Sequence, residues 1–205
     1  AIIFCEDKGM DNWSFVVVAD MQPGSPKSYR FNPAWLENWQ AVRQQILDLD
    51  PQPEFLLIAG DLTRDGTIHR WELEAMRDDL DAMQIPWHAV PGNMDVGNKH
   101  TERQGPDPDR DDVSLNMTSE ALGQFESLVG PSRWSFTHRN VRVSGFCDIL
   151  LGSGLPEEAA LWKWLEAQKE KPRSRFHIWL MHYAPFADAP DEPHWDIADP
   201  EQYFQ

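Results

Sequence analysis

The sequence predicts an α/β fold in which a mostly parallel sheet is covered by helices. Short apolar runs of strand length alternate with segments of helical periodicity in the order β-α-β-α-β. Four such runs, at 15–19, 55–59, 85–90 and 176–181, each stop close to a residue able to bind a metal ion: Asp20, Asp61, Asn93 and His182. Because ligands gather beyond the carboxyl ends of parallel strands, these side chains are expected to converge on one divalent-cation site.

The first helix is predicted to begin at Pro33. Asn32 offers a capping side chain, and Pro is favoured at the first helical position. Asp50-Pro51 is expected to end the helix. Between these signals, apolar residues recur every three or four positions, as in a helix packed on a sheet: Trp35, Trp39, Val42, Ile46 and Leu49.

A second helix is predicted over residues 70–83, with an apolar stripe made of Trp71, Leu73, Met76, Leu80 and Met83. Residues 99–112 are polar and contain Pro106 and Pro108, which favours a loop near the site.

The remaining segments predict two further helices and a hairpin that belongs to a second sheet. A helix is expected at 119–129, and the runs 134–137 and 141–146 are typical of a hairpin. Residues 157–169 have acids in the first turn and Lys in the last, which favours a helix leading into the strand before His182.

Composition limits the class of protein. The 205 residues suit one domain, predicted over residues 1–205. No apolar stretch approaches the ~20 residues that span a bilayer, so we expect a soluble protein without a membrane partner. Its location stays open, with the cytoplasm favoured. The net charge of −16 and the lack of clustered Lys and Arg argue against binding to a nucleic-acid backbone. Cys5 and Cys147 match no metal or redox spacing and are interpreted as packing residues.

Two motifs carry the chemistry. Residues 60–66 read Gly-Asp-Leu-Thr-Arg-Asp-Gly, and residues 91–95 read Pro-Gly-Asn-Met-Asp. They resemble the Gly-Asp and Gly-Asn-His-Asp motifs of the calcineurin-like metallophosphoesterases. Asp20-Met21-Gln22 stands where that family has Asp-x-His, and His182 stands where it has a strand-end His followed by Pro. Four motifs in the family order make the resemblance specific.

The resemblance implies a four-layer α/β/β/α sandwich with a dinuclear centre that hydrolyses phosphate esters through a bridging hydroxide. Asp61 would bridge two divalent cations, Asp20 would bind the first, and Asn93 and His182 would bind the second. The substrate would be a phosphorylated small molecule or phosphoprotein, and either a monoester or a diester. Taken singly, the carboxylates and Asn93 also suit turns or caps, and His182 suits a core position.

Asp61 and Asn93 are the expected catalytic residues, and Met94 occupies the position of the family's general-acid His. A thioether cannot donate a proton, and losing a general acid typically lowers a rate by about 10²–10⁴-fold. Activity is therefore expected to survive for esters with good leaving groups. The alternative is a degenerate relative that binds metal or phosphate with little or no catalysis.

Gln22 replaces the His of the first motif and is a predicted oxygen ligand of the first metal. By ligand softness, oxygen donors favour Mn²⁺ or Mg²⁺ over Zn²⁺, with Fe also among the metals that the family implies. The alternative, which the sequence favours equally, is that Gln22 does not bind the metal and only orients a water molecule.

The family's late Gly-His-x-His motif does not occur before Gln205. The chain is therefore expected to be incomplete on its C-terminal side, with each metal under-ligated as written. His194 is a less favoured substitute ligand. A nucleotide-binding doubly wound domain is disfavoured, since no Gly-x-Gly-x-x-Gly follows the first strand.

Overall fold

Two sheets pack face to face, with helices on their outer sides. The computed structural model describes residues 2–5, 13–28, 30–100 and 112–184. The first sheet has the order β1-β2-β3-β4, in which β2, β3 and β4 are parallel and β1 runs antiparallel to β2. Its strands are β1 (Ile2–Cys5), β2 (Trp13–Val18), β3 (Leu56–Ala59) and β4 (Trp87–Val90). Strand β1 was not predicted from the sequence.

The second sheet has the order β5-β6-β7. Strands β5 (Arg133–His138) and β6 (Val141–Phe146) form the predicted antiparallel hairpin, and β7 (Phe176–Leu180) lies parallel to β6. The four strands that precede the candidate ligands are therefore not neighbours in one sheet. Three belong to the first sheet and the fourth, β7, belongs to the second.

Four helices lie close to where the sequence places them: α1 (Pro33–Leu47), α2 (Arg70–Asp81), α4 (Ser119–Leu128) and α5 (Pro156–Lys169). A single turn, α3 (Asn93–Val96), was not predicted. Asn32 caps α1 as expected, since its Oδ1 accepts from the amide of Ala34 at 3.0 Å. Thr118 caps α4 in the same way, at 3.1 Å to the amide of Ala121. Helix α1 ends three residues before Asp50, and α2 ends two residues before its predicted bound.

Alternating residues of β3 separate the two cores. Leu57 points between the sheets, whereas Leu56 and Ile58 face the helices, and all three are completely buried. Full burial of each such side chain contributes about 1.5–3 kcal/mol. The core between the sheets consists of Trp13, Phe15, Phe55, Leu57, Val90, Val141, Val143 and Leu180.

The outer core joins the helices to both sheets. Trp39 of α1, Leu73 of α2 and Leu161 of α5 all belong to it. The sandwich with outer helices confirms the predicted fold class. The prediction of a packed position is wrong for two residues of the apolar stripes: Val42 is 37% exposed and Trp71 is 40% exposed.

Cys147 is a buried free thiol, which agrees with a packing role. Burial raises the pKa of this thiol, and the carboxylate of Asp148 adds to the effect. Within the described ranges, no helix has the length and apolarity needed to cross a membrane.

Candidate metal centre

Asp20, just beyond β2, is held by the loop that follows β3. Its backbone amide donates to the carbonyl of Gly60 at 3.2 Å, and the amide of Gln22 donates to the carbonyl of Asp61 at 3.3 Å. Asp20, Gln22 and Asp61 all have left-handed backbones, with φ of 54°, 40° and 52°. Non-glycine residues rarely adopt this conformation, and such strain clusters at functional sites.

Asp61 is the buried carboxylate at the end of β3, with 3% of its surface exposed. Its Oδ1 accepts from the backbone amide of Met94 at 2.9 Å. Gly92 lies so close that an added Cβ would overlap the Asp61 carboxylate. The glycine of the second motif is therefore needed for close approach of the two loops.

His182 follows β7 and reaches across to the first sheet. Its Nδ1 lies 2.9 Å from the carbonyl oxygen of Ala59, and its Nε2 lies 3.1 Å from Asn93 Oδ1 and 3.4 Å from Asp61 Oδ1. A Cβ at Gly60 would overlap the imidazole ring. The ring thus passes directly over the backbone that carries Asp61.

The orientation of the ring decides what its second nitrogen can bind. If Nδ1 carries a hydrogen, it donates to the carbonyl of Ala59, and the lone pair of Nε2 then faces two oxygen atoms. The amide of Asn93 donates through Nδ2 to Asn98 Oδ1 at 3.0 Å, which leaves its Oδ1 toward His182. Three electron-pair donors facing one point require a proton or a cation between them.

Asp20, Asp61 and His182 form a cluster whose ligand atoms all lie within 4.8 Å of one another. Asp61 is buried, His182 is half-buried and Asp20 is exposed, so the cluster opens to solvent on the side of Asp20. Two carboxylates and an imidazole are ordinary ligands of divalent transition metals. These residues fit the metal that the donor set implies.

Electrostatics also favour a cation here. Burial raises the pKa of Asp61 to about 7, and repulsion from Asp95 adds to this effect, while His182 opposes it. Burial alone lowers the pKa of His182, but the charge of Asp61 and the Ala59 carbonyl outweigh it, and the net shift is upward. Both groups therefore retain protons more readily than usual when no other positive charge is near.

Asp95, a residue without a predicted role, ties the two motif loops together. Its buried carboxylate accepts from the backbone amides of Gly92, Leu62 and Thr63 at 2.9–3.1 Å, and from Thr63 Oγ1 at 2.7 Å. Its place in the Gly-Asn-Met-Asp motif was the signal available in the sequence.

Asp148 supports His182 in a comparable way, and nothing in the sequence marks it. Its two carboxylate oxygens accept from the backbone amides of His182 and Tyr183, each at 2.8 Å. Burial raises the pKa of Asp148 to about 6, and these amide bonds limit the rise.

Gln22 contacts the centre through its amide nitrogen. Nε2 donates to Asp61 Oδ2 at 2.5 Å, and Oε1 accepts from Nη1 of Arg64 at 3.1 Å. The guanidinium of Arg64 lies 4.1 Å from the ring centre of Trp35, and this cation–π contact helps to fix the position of the guanidinium beside Gln22. The predicted oxygen ligand therefore points its oxygen at Arg64 in this conformation.

Met94 is half-buried and meets the centre through its backbone. Its amide binds Asp61, and its sulfur lies 3.6 Å from Asn93 Nδ2. His194 lies outside the described residues.

The described residues form a sandwich of two sheets, with two carboxylates and an imidazole gathered at the strand ends. The family model for calcineurin-like phosphoesterases matches residues 14–201, and the chain belongs to this family. No curated protein matches the chain.

A solved structure shares the fold. A purple acid phosphatase from yellow lupin (Lupinus luteus) seeds matches with a TM-score of 0.50 and 13% identity, over 86% of this chain and 34% of that chain. The chain therefore spans about a third of the length of the phosphatase, and at this identity the likeness concerns the fold alone.

Proposed function

We propose that the chain hydrolyses phosphate esters at a centre of two divalent cations held by Asp20, Asp61, Asn93 and His182. The observation that carries the proposal is the position of His182 Nε2, 3.1 Å from Asn93 Oδ1 and 3.4 Å from Asp61 Oδ1. Asp61 is central to both predicted ligand sets. Divalent cations supply an acidified water as nucleophile and stabilise negative charge on the phosphoryl oxygens.

The protein's own groups hold the donors in place. Ala59 and Asp148 fix the ring and backbone of His182, and Asn98 orients the amide of Asn93. Such supporting contacts typically change metal affinity by about 10–100-fold when they are lost. Asp20 is exposed, so the substrate phosphate is expected to enter from its side.

The substrate is expected to carry a good leaving group. Met94 stands at the position of the general acid and has no proton to give, so the leaving oxygen must depart without assistance from this residue. Oxygen donors favour Mn²⁺ or Mg²⁺ in the centre. Phosphorylated small molecules and phosphoproteins both fit these requirements.

A phosphatase assay tests the proposal. The protein is loaded with Mn²⁺ and given p-nitrophenyl phosphate and its bis ester, beside Asp61→Asn and the control Asp50→Asn, an exposed carboxylate on another part of the fold. We expect Asp61→Asn to lower turnover by about 100-fold or more, because the variant loses the carboxylate that is proposed to bind both cations. Each factor of ten in rate corresponds to about 1.36 kcal/mol of lost transition-state stabilisation. The control is expected to match the parent.

A non-catalytic metal- or phosphate-binding protein is the second candidate, and the chemistry of Met94 and Gln22 favours it. Calorimetric titration with Mn²⁺ separates the two. Metal binding without turnover in the parent, together with turnover gained by Met94→His, supports the second candidate. Absence of metal binding in the parent contradicts the proposed hydrolase and leaves only the phosphate-binding form of the second candidate.

A further inference from the structure

A basic cleft lies at the end of the second sheet that is opposite to His182. It has a volume of about 520 Å³ and lies between the β5–β6 hairpin and the segment that leads from α5 into β7. Arg175 is one of its lining residues, and the seven residues from it to His182 along β7 span roughly 20 Å at about 3.3 Å per residue. The cleft is therefore separate from the candidate metal centre.

The charge of the cleft contrasts with that of the chain. Lys and Arg number 18 against 34 Asp and Glu, yet five of the eleven residues that line the cleft are basic. Among the described residues that line it, none is acidic. The cations are Arg139, Arg142, Lys171, Arg173 and Arg175. The expectation that the chain lacks clustered Lys and Arg is therefore wrong: three of these cations lie within five residues of sequence, and the fold adds two from about 30 residues earlier.

The walls of the cleft are fixed by hydrogen bonds. Arg142 is only 7% exposed, and its guanidinium donates to the carbonyl oxygens of Gln168 and Pro172. The amide of Arg175 donates to the carbonyl of Asn140 at 3.0 Å, which ties the segment to the hairpin. A neighbouring group reports the positive field: partial desolvation lowers the pKa of His177, and the charges of Arg142 and Lys171 lower it further.

Two cations are available to a ligand. Lys171 and Arg173 are exposed, and neither has an ion-pair partner among the described residues. Arg139, in contrast, is paired with Glu54 at 2.6 Å on the rim. Thr137, Asn140 and Ser174 add neutral donors to the lining. Clustered guanidinium and ammonium groups with nearby hydroxyl and amide donors match oxyanions that have several acceptor oxygens.

We propose that this basic cleft binds a small polyanion that carries phosphate groups. Its volume falls in the range of small-molecule pockets, about 300–1,000 Å³. The net charge of −16 disfavours a long polyanion, which would meet repulsion beyond the cleft. The site is independent of the metal centre and of the reaction proposed there.

Calorimetric titration of the full chain with pyrophosphate tests the proposal. EDTA is present throughout, so that no cation can link the ligand to Asp20 or Asp61. The test variant is Lys171→Glu/Arg173→Glu, and the control is Lys27→Glu/Lys163→Glu, two exposed residues outside the cleft that lose the same charge. Circular dichroism checks that both variants are folded.

We expect the parent and the control to bind pyrophosphate, and the test variant to bind at least about tenfold more weakly, which is 1.4 kcal/mol. Hydrolysis of p-nitrophenyl phosphate with Mn²⁺ is expected to be the same in all three proteins. No binding by the parent, or equal losses in both variants, would overturn the proposal. Equal binding of citrate would overturn the assignment to phosphate. Binding of a phosphorylated peptide but not of pyrophosphate would overturn the assignment to a small molecule.

Discussion

The side-chain amide of Gln22 donates to the carboxylate of Asp61, with Nε2 and Oδ2 2.5 Å apart. This contact joins the loop after β2 to the loop after β3, across 39 residues of sequence. It compensates part of the negative charge at the centre without adding a formal charge. A substitution of Gln22 should therefore change the affinity of the centre for a metal ion.

Gln22→Glu replaces the amide donor with a second carboxylate beside Asp61. We expect Mn²⁺ affinity to rise by about tenfold, which is 1.4 kcal/mol, and the metal-free protein to melt at a lower temperature because like charges repel. Calorimetry and thermal unfolding in EDTA measure the two effects. Gln45→Glu, on the exposed side of α1, is the control for added charge. Weaker Mn²⁺ binding by Gln22→Glu would mean that the amide donor is what the centre needs.

Asp148→Asn removes one of the two acceptor oxygens that hold the backbone amides of His182 and Tyr183. We expect the free energy of unfolding to fall by about 1–3 kcal/mol, since a buried donor is left without a partner. Mn²⁺ affinity should fall by about 10–100-fold because His182 loses its support. Urea unfolding in EDTA and calorimetry measure the two quantities. A loss of stability with unchanged affinity would limit Asp148 to a structural role.

Met94→His places an imidazole where the thioether lies, half-buried beside Asn93. We expect turnover of alkyl phosphate esters to rise by about 10²–10⁴-fold, because a general acid can then protonate the leaving oxygen. Nitrophenyl esters, whose leaving groups need little protonation, should gain far less. Steady-state rates for both ester types give the ratio, and an equal gain for the two would argue against a general-acid role at this position.

Gly92→Ala forces a methyl group into the carboxylate and backbone of Asp61. We expect a loss of about 1–3 kcal/mol in the free energy of unfolding, as in other overpacked sites, and a loss of Mn²⁺ binding. Gly123→Ala is the matched control, since nothing lies within 4 Å of the added methyl in α4. The control should gain about 0.5–1 kcal/mol from helix propensity. The two substitutions should thus shift urea unfolding in opposite directions.

The strands β2 to β7 and the cap of α1 could be predicted because their signals are local. The apolar runs before Asp20, Asp61 and His182 are short and end abruptly, and Asn32-Pro33 marks a helix start within two residues. The placement of β7 in the second sheet could not be predicted, since pairing with β6 depends on contacts distant in sequence.

The residues that hold the candidate ligands in place could not be predicted, for a related reason. Asp148 follows an ordinary apolar strand, and only the fold brings it to the amide of His182, 34 residues away. Periodicity also misjudged Trp71, because a residue can lie at helical spacing and still sit at the edge of the packed face.

The left-handed backbones at Asp20, Gln22 and Asp61 have a consequence for how such a protein can change. Each costs of the order of 1–3 kcal/mol that glycine would not incur. Selection for heat resistance alone would drive these three positions toward glycine and erase the donors. The side chains at these three positions therefore lower the thermal stability of the chain unless a bound cation offsets the strain.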